Sequence, residues 1–266
     1  FIYESISIIY GRMFNKYVVV ILRGGWLPDY YNKFKIIYKS ILNMADTIVV
    51  PSNYLLDELN AMGQRIDYVV PNFIDLKEYQ FRLRSKISPK ILYMRGIHKI
   101  YNPEMAIKAF TLIQNEHPNA SLTIAGKIAD ISYMKKLKKI IKSSDLKNVS
   151  IVGMINKKEI SELIMNHDIY IQTNRVENMP VSILEMWACG IPIVATKVGG
   201  ITNLLINETD SLIVESEDHR SMAEKCIRLI NSQELVKKLS INGKEKVKNY
   251  TWENVSKDWN KILFDE

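Results

Sequence analysis

The sequence predicts an α/β protein in which helices cover both faces of parallel β-sheets. From residue 17 onward, short β-branched runs alternate with amphipathic helical patterns. Helices that separate buried strands require crossover connections, which are right-handed and make the strands parallel. The 266 residues suffice for one large domain or two smaller ones, and the 47% hydrophobic and 24% charged residues are typical of a globular protein.

The same patterns assign each element in order. The β-branched runs predict strands at Tyr17–Leu22, Thr47–Val50, Ile66–Val70, Lys90–Met94, Ser121–Ala125, Val149–Val152, Asp168–Gln172 and Pro192–Ala195. The amphipathic patterns predict helices at Tyr31–Ala45, Tyr54–Met62, Pro103–Glu116, Ser132–Lys142, Lys157–Asn166 and Val181–Cys189. Asn102, Pro103 and Glu104 mark a helix start, as an N-cap, a first-turn proline and a carboxylate favoured by the helix dipole.

A last helix is predicted after Thr251, which is its N-cap. Its apolar side chains recur at helical spacing and form one stripe, made of Trp252, Val255, Trp259 and Leu263. We expect this stripe to be buried against another part of the molecule, because an apolar helix face is stabilised by packing.

Residues 75–89 interrupt the alternation of strands and helices. This segment is polar and ends in a proline just before a strong strand, which indicates an interdomain linker. We predict an incomplete first domain of about three strands at residues 1–80, a linker at 81–89 and a complete second domain at 90–250, followed by the last helix at 251–266.

The charge distribution restricts the classes of partner. Much of the net charge of +7 lies in a predicted helix that carries Lys135, Lys136, Lys138, Lys139 and Lys142. A solvated helix face is the simplest interpretation, and contact with anionic lipid or a phosphorylated acceptor is the alternative. No aromatic residues interleave with these lysines, so we expect no nucleic-acid binding.

The compartment is predicted from the cysteines and the apolar runs. Cys189 and Cys226 stand in apolar helical contexts and make no disulfide framework, which favours a reducing cytoplasm. No apolar run reaches the roughly 18 residues of a transmembrane helix. Peripheral contact with the inner face of a membrane is the remaining membrane hypothesis. The chain begins with Phe1, and no signal peptide is recognisable. We also expect part of the first domain to be missing.

Cations follow two of the predicted strands, at the sheet edge where parallel α/β proteins bind ligands. Arg95 and Lys99 come after the strand at 90–94, and Lys197 comes after the strand at 192–195. Such cations could neutralise a diphosphate. A single cation at a strand end is more often a solvated surface charge, so the prediction depends on several groups meeting at one edge.

Two carboxylates flank the loop after the strand at 168–172. Glu177 precedes the helix that begins near Pro180, and Glu185 lies more than one turn inside that helix. The free N–H groups at the helix start suit an anion or a sugar hydroxyl. Each carboxylate could accept hydrogen bonds from hydroxyls of one polyhydroxylated ligand, whereas an exposed position for Glu185 is the simpler alternative.

Other classes of site lack support in the sequence. No G-x-G-x-x-G follows a strand with an acidic residue downstream, and no G-x-x-x-x-G-K-[ST] loop occurs. The His and Cys residues are too scattered for a metal site. We therefore expect neither a cofactor nor a metal.

The segment RVENMPVSILEMWACGIPIVATKVGG, residues 175–200, resembles the E-x7-E region of the group 1 (family 4) retaining glycosyltransferases. It contains two carboxylates, a proline, a Cys-Gly-x-Pro turn and a Gly-Gly pair. Supporting matches cover most of the chain, at residues 45–52 (ADTIVVPS), 69–75 (VVPNFID), 107–110 (IKAF), 121–126 (SLTIAG) and 148–153 (NVSIVG).

This resemblance implies the GT-B arrangement, with two facing Rossmann-like domains, parallel sheets and a terminal helix that crosses back to the first domain. It implies transfer of a hexosyl unit from a nucleotide-diphosphate sugar, with retention of anomeric configuration and usually without a metal. The acceptor would be a glycan or a lipid-linked molecule, in the synthesis of surface polysaccharide or glycolipid.

The resemblance also implies a role for each matched residue. Glu177 would contact hydroxyls of the donor sugar, while Arg95 and Lys99 would stabilise the leaving diphosphate; these three form the predicted catalytic set. Glu185 would hold the ribose hydroxyls. The other predicted donor-binding residues are Gly153 and Met154 beside the base and Asn178, Met179, Pro180 and Val181 beside the sugar.

The sequence departs from the family pattern at several places, one of which is Met94-Arg95-Gly96 where the family usually has Gly-Arg. Lys99 follows Arg95 by only four residues, and Tyr101 stands where a glycine commonly occurs. In the acceptor half, Arg23-Gly24-Gly25 falls near the position of an active-site histidine in many members. Arg23 could bind an anionic acceptor or phosphate, or it could be a loop cation.

Two alternatives belong to other functional classes. The short first domain is also expected of a non-catalytic nucleotide-sugar-binding or scaffold protein, or of an inactive fragment, because catalysis needs an acceptor held against the donor. A sugar-nucleotide epimerase of the same architecture is a further hypothesis.

Overall fold

The structure is a computed structural model that describes residues 2–264. Its strands form two parallel sheets, one of three strands and one of six. The strands are β1 (Val19–Ile21), β2 (Thr47–Val50), β3 (Tyr68–Val69), β4 (Lys90–Met94), β5 (Ser121–Ala125), β6 (Val149–Gly153), β7 (Ile169–Gln172), β8 (Ile193–Thr196) and β9 (Leu212–Val214). All observed strand pairs are parallel, which confirms the predicted α/β class.

Helices connect these strands and pack on both faces of the larger sheet. The helices are α1 (Ile2–Met13), α2 (Leu27–Lys33), α3 (Lys35–Leu42), α4 (Asn53–Ala61), α5 (Pro103–Glu116), α6 (Ile131–Ser143), α7 (Lys157–Met165), α8 (Val181–Ala188), α9 (Ile201–Leu204), α10 (His219–Asn231), α11 (Gln233–Val247) and α12 (Trp252–Phe264). Short 3₁₀ helices lie at Leu76–Glu78, Lys99–Tyr101 and Lys248–Tyr250. We call residues 2–74 the first lobe and residues 90–250 the second lobe.

The first lobe is built on the sheet β1-β2-β3 and differs from the prediction in its helices. Helix α1 precedes the first strand and was not predicted. The helix expected at Tyr31–Ala45 is broken at Phe34, where the backbone leaves helical geometry (φ −128°, ψ 37°) and α2 gives way to α3. Apolar periodicity continues through this break, so the pattern contains no signal for it. Tyr31 and Tyr38, one on each helix, are both buried and their rings meet edge to face at 6.0 Å.

The second lobe contains the larger sheet, in the order β6-β5-β4-β7-β8-β9. From β4 the chain builds outward through β5 and β6, then returns to the other side of β4 with β7. The carboxyl ends of β4 and β7 therefore form a topological switch point, where the connections leave in opposite directions and a crevice opens. Strand β9 and helices α10 and α11, which complete this lobe, were not among the predicted elements.

The predicted N-cap of α5 is present, because the Asn102 side chain accepts a hydrogen bond from the Met105 backbone N–H at 3.3 Å. The lysines of α6 are exposed, as the solvated-face interpretation predicts. Among residues 2–264, no helix combines the length and the apolarity required to span a membrane.

The segment predicted as a linker, residues 81–89, contains no regular helix or strand, but it is packed against the second lobe. The Arg84 side chain is 1% exposed and donates to the carbonyl oxygens of His167, at 3.2 Å, and Cys189. Burial lowers the pKa of Arg84 to about 10. Arg82 forms an ion pair with Asp168. This segment is therefore packed against the second lobe and is not a flexible, solvent-exposed linker. The predicted domain boundaries stay predictions.

Helix α12 packs against the first lobe by a face that differs from the predicted stripe. Val255 and Ile262 are buried with Val49 of β2 and Val70, and Trp259 packs beside them. Trp252 and Leu263, both in the predicted stripe, are 49% and 51% exposed. The spacing 255, 259 and 262 also lies on one face of a helix, and the chain buries this face because it is the one that meets β2 and the residue after β3.

Candidate functional site

A cleft of about 280 Å³ opens at the switch point of the larger sheet. It is lined by Met94, Arg95, Gly96, Ala125, Gly126, Lys127, Met154, Ile155, Ile160, Val181, Ser182 and Glu185. These residues end β4 or β5, follow β4, β5 or β6, or lie in α7 and the first turns of α8. The site therefore occupies the edge that the parallel topology prescribes for ligands.

Glu177 lies in the loop between β7 and α8, beside this cleft. Its carboxylate forms an ion pair with Arg95, the residue after β4. It also accepts a hydrogen bond from the Asn174 side-chain amide at 2.5 Å and one from the Asn178 backbone N–H at 3.0 Å. The Glu177 side chain is only 10% exposed, so these partners compensate for the loss of water around its charge.

Arg95 is held from several sides. Its guanidinium carbon lies 4.6 Å from the centre of the Tyr101 ring, within the range of a cation–π contact. Burial acts to lower the pKa of Arg95, but the Glu177 carboxylate and the nearby tyrosine hydroxyls together outweigh this effect, and the pKa is raised. A Cβ at Gly126 would overlap the Arg95 carbonyl oxygen, and Gly126 has a φ of +147°. The close approach of β4 and the β5 end thus depends on glycine.

Glu185 projects from α8 and is 8% exposed. The Tyr79 hydroxyl donates to its Oε1 at 2.9 Å. Burial raises the pKa of Glu185, while the Tyr79 hydrogen bond and the Arg95 charge oppose that rise. Glu185 is therefore a buried carboxylate that lines the cleft, and the simpler alternative of an exposed helical glutamate is wrong.

Buried polar groups lie between the two carboxylates. The Tyr170 hydroxyl contacts Gln172 and Ser182, each at 3.1 Å. The buried side-chain atoms without a hydrogen-bond partner among the described residues include Gln172 Nε2, Asn174 Oδ1 and Arg95 Nε, all near this cleft. Since buried polar atoms are usually paired, these atoms are candidates to bind water or a ligand in the cleft.

The Glu177 loop is supported by three glycines. Gly199 and Gly200 lie so close that a Cβ on them would overlap the carbonyl oxygens of Glu177 and Asn178, and the Gly200 N–H donates to the Glu177 carbonyl at 3.2 Å. From the first lobe, a Cβ on Gly25 would come within 3.1 Å of the Glu177 carbonyl carbon. The Gly-Gly pair therefore does more than turn the chain, because its lack of side chains lets the loop pack against it.

The same loop is bonded to the first lobe. The Asn178 side chain, 3% exposed, donates to the Arg23 carbonyl oxygen at 3.0 Å and accepts from the Ser52 hydroxyl. Asn72 donates to the Met179 carbonyl oxygen at 2.8 Å. Asn178 and Met179 are predicted to lie beside the donor sugar. The Asn178 side chain and the Met179 carbonyl oxygen also bond the second lobe to the first.

The other predicted donor-binding residues lie at the cleft rim or at the helix start. Met154 is 75% exposed and Val181 is 37% exposed, and both line the cleft. Gly153 ends β6 with a φ of +75°, and the buried Pro180 is the N-cap residue of α8.

The structure does not bring every predicted cation to the cleft. The Lys99 side chain is exposed and is not among the cleft-lining residues. Lys197 lies in a separate hollow, 3.5 Å from Glu215. Lys127 lines the cleft instead and was missed, although its position two residues after β5 is a signal of the same kind.

Arg23 and Gly24 line a second hollow, of about 300 Å³, in the first lobe. Its wall includes the aromatic side chains of Trp26, Tyr30 and Tyr38, and the rings of Trp26 and Tyr30 are stacked at 6.5 Å. The hollow adjoins the Glu177 loop, because the Arg23 carbonyl oxygen is bonded to Asn178 and Gly25 contacts Glu177.

Comparison with known proteins agrees with this geometry. The sequence model of the family described as "Glycosyl transferases group 1" matches residues 77–246. An uncharacterised glycosyltransferase of Methanocaldococcus jannaschii is 25% identical over 231 residues, which cover 83% of this chain and 60% of that protein. The N-acetyl-alpha-D-glucosaminyl L-malate synthase of Bacillus anthracis is 23% identical over 228 residues, which cover 85% of this chain and 58% of that protein.

Among solved structures, Anabaena HepE in complex with UDP and glucose superposes with a TM-score of 0.87 at 16% identity. The superposition covers 98% of this chain and 74% of HepE, which establishes a shared GT-B fold. The chain spans about 60% of the length of these two curated relatives.

Proposed function

Because the chain belongs to the group 1 glycosyltransferases, we propose that it transfers a hexosyl unit from a nucleotide-diphosphate sugar with retention of anomeric configuration. The acceptor is a glycan or a lipid-linked molecule, in the synthesis of surface polysaccharide or glycolipid. One observation carries the proposal: a buried carboxylate, Glu185, and an Arg95–Glu177 ion pair meet at the cleft of the sheet switch point.

Each half of the donor has a chemically suitable partner in this cleft. Glu177 accepts hydrogen bonds from the sugar hydroxyls, and Glu185 accepts them from the ribose. Arg95 and the cleft-lining Lys127 neutralise the charge that develops on the leaving diphosphate. Lys99 is exposed and outside the cleft lining, so its contact with the phosphates stays a prediction. The UDP and glucose bound to HepE, a protein of the same fold, support a nucleotide sugar as donor.

The acceptor is proposed to enter from the first lobe. The hollow beside Arg23 and Trp26 adjoins the Glu177 loop and offers aromatic rings and a cation. Such a wall suits a glycan or the phosphate of a lipid-linked acceptor. For a lipid-linked acceptor, the protein acts in the cytoplasm, and the exposed lysines of α6 contact the inner face of the membrane.

A binding and turnover assay tests the proposal. UDP-, GDP- and ADP-sugars are screened by saturation transfer, and Glu185→Ala is compared with the wild type by calorimetry. We expect donor affinity to fall at least about tenfold, because ligand hydroxyls in the cleft lose a charged acceptor. Unchanged donor affinity would remove Glu185 from the site.

Turnover then separates the functional classes. Transfer to an acceptor with the anomeric configuration of the donor, read by NMR, is the expected result, and it should persist in EDTA because no metal is proposed. Donor binding without turnover would indicate a scaffold protein or an inactive fragment. A changed donor sugar without any acceptor would indicate an epimerase.

A further inference from the structure

We propose that Ser52, Asn72 and Asn178 form an interlobe latch through which the first lobe positions Glu177. The sugar half of the donor site then depends on the first lobe, whereas the nucleotide half does not. The inference rests on the proposed function of Glu177 as the acceptor of sugar hydroxyls. Within the latch, these residues are positioning residues, since they act through the Glu177 loop.

The Asn178 side chain is the centre of the latch. Both ends of its amide are used by the first lobe, the oxygen by the Ser52 hydroxyl and the nitrogen by the Arg23 carbonyl oxygen. Asn178 is 3% exposed and Ser52 is 8% exposed. Hydrogen bonds shielded from water in this way cost more to break than surface ones, because the separated groups are left unpaired.

Asn72 adds a second, independent attachment one residue further on. Its side-chain amide donates to the Met179 carbonyl oxygen at 2.8 Å, and its backbone N–H lies 3.2 Å from the Met179 sulfur. Two successive residues of the loop are therefore bonded to separate segments of the first lobe.

The latch connects directly to the Glu177 carboxylate. The backbone N–H of Asn178 donates to Glu177 Oε1 at 3.0 Å, so a shift of Asn178 moves a partner of that carboxylate. Gly199, Gly200 and Gly25 pack against the backbone of Glu177 and Asn178, which restricts movement of the loop towards these glycines. A change at the latch is therefore transmitted to Glu177.

Glu185 has a different support. It projects from α8 and is bonded to Tyr79, which lies outside the latch. A broken latch should therefore leave the ribose carboxylate in place. The predicted signature is a loss of affinity for the nucleotide sugar that exceeds the loss for the free nucleotide.

The test measures the dissociation constants of UDP-glucose and UDP for the full chain and for Asn178→Ala and Asn72→Ala. If the first screen selects another base, the corresponding sugar nucleotide and nucleotide replace this pair. We expect each variant to weaken UDP-glucose binding about 10-fold or more and UDP binding less than about 3-fold, as expected for a displaced sugar-binding group. Asn53→Ala, an exposed neighbour of Ser52, is the control and should change neither constant.

A double-mutant cycle provides a second readout. Ser52→Ala alone also removes the N-cap of α4, because Ser52 Oγ accepts from the Leu55 N–H at 3.2 Å. In the Asn178→Ala background, Ser52→Ala should add nothing further to the loss of UDP-glucose affinity if the two act as one unit.

Each other outcome contradicts a definite statement. Equal weakening of UDP and UDP-glucose would mean that Asn178 supports the whole cleft and not Glu177 in particular. Unchanged binding of both ligands by a folded Asn72→Ala variant and a folded Asn178→Ala variant would eliminate the latch. Failure of the wild type to bind any nucleotide or nucleotide sugar would overturn the proposed function itself.

Discussion

At the residue scale, the Tyr79 hydroxyl donates a hydrogen bond to the buried Glu185 carboxylate. Tyr79→Phe removes one hydrogen bond to a buried carboxylate and leaves the ring. We expect nucleotide affinity to fall about tenfold, the equivalent of about 1.4 kcal/mol. Calorimetry with UDP at neutral pH measures this change, and Tyr250→Phe, at a half-buried tyrosine of the second lobe, is the matched control.

The pH dependence of Tyr79→Phe gives an independent check. Burial already raises the pKa of Glu185, and the Tyr79 hydrogen bond, Arg95 and Lys157 lower it, while Glu78 raises it further. Losing the hydrogen bond raises the pKa again, so the variant is protonated at a higher pH than the wild type. Nucleotide affinity should therefore weaken earlier as the pH falls. Identical pH profiles would show that Tyr79 has no effect on the carboxylate.

Tyr101 contributes an aromatic ring to the site. Its ring lies against the Arg95 guanidinium, and the contribution of such a contact is about 0.5–2 kcal/mol. Tyr101→Ala should lower kcat/KM about 3- to 30-fold, while Tyr101→Phe should keep most of the activity because it keeps the ring. An equal loss in both variants would assign the effect to the hydroxyl and not to the ring.

At the element scale, the loop between β7 and α8 depends on the space left by Gly200. Its φ of −67° is open to any residue, so only the overlap of a Cβ with the Asn178 carbonyl oxygen forbids alanine. Gly200→Ala should displace the loop, weaken UDP-glucose binding at least about tenfold and lower the unfolding free energy by about 1–3 kcal/mol. Gly24→Ala is the control, because a Cβ there meets no atom within 4 Å.

Strands and helices with strong local patterns could be predicted from the sequence, and contacts between distant segments could not. Strands β2, β4 and β5 and helix α5 begin and end where their patterns predict. The break at Phe34 and the short strand β9 have no comparable local signal. Within the site, Glu177 and Arg95 follow from their strand-end positions. Tyr79 and Ser52 do not, because their partners lie 106 and 126 residues away and meet them only in the folded lobes.

At the scale of the whole molecule, α12 and the latch are separate contacts between the two lobes. Helix α12 starts from the second lobe and packs Val255 and Ile262 against Val49 and Val70 of the first lobe. Ile74 is bonded through its N–H to the Tyr250 carbonyl oxygen at 3.0 Å, beside the start of this helix. The separation of the lobes is therefore resisted by apolar burial at α12 and by hydrogen bonds at the Glu177 loop.

Two adjacent residues of α12 test which face carries this burial. Ile262 is 4% exposed, and Leu263, which the apolar pattern places in the buried stripe, is 51% exposed. Ile262→Ala should lower the unfolding free energy by about 2–4 kcal/mol, because it deletes buried methylene and methyl groups and leaves a cavity. Leu263→Ala should change the unfolding free energy by no more than about 0.5–1 kcal/mol, because about half of this side chain is exposed. Denaturant unfolding of the two variants measures both values.

The same two variants distinguish an effect on stability from an effect on activity. Ile262→Ala leaves every residue of the cleft in place, so UDP affinity should stay within about 2-fold of the wild type, because distant sites act independently. Glycosyl transfer needs the acceptor of the first lobe held against the donor of the second, so turnover should fall more than UDP binding. Equal costs for Ile262→Ala and Leu263→Ala would mean that the helix is not seated by the 255–259–262 face, and the apolar stripe predicted from the sequence would then be the better description.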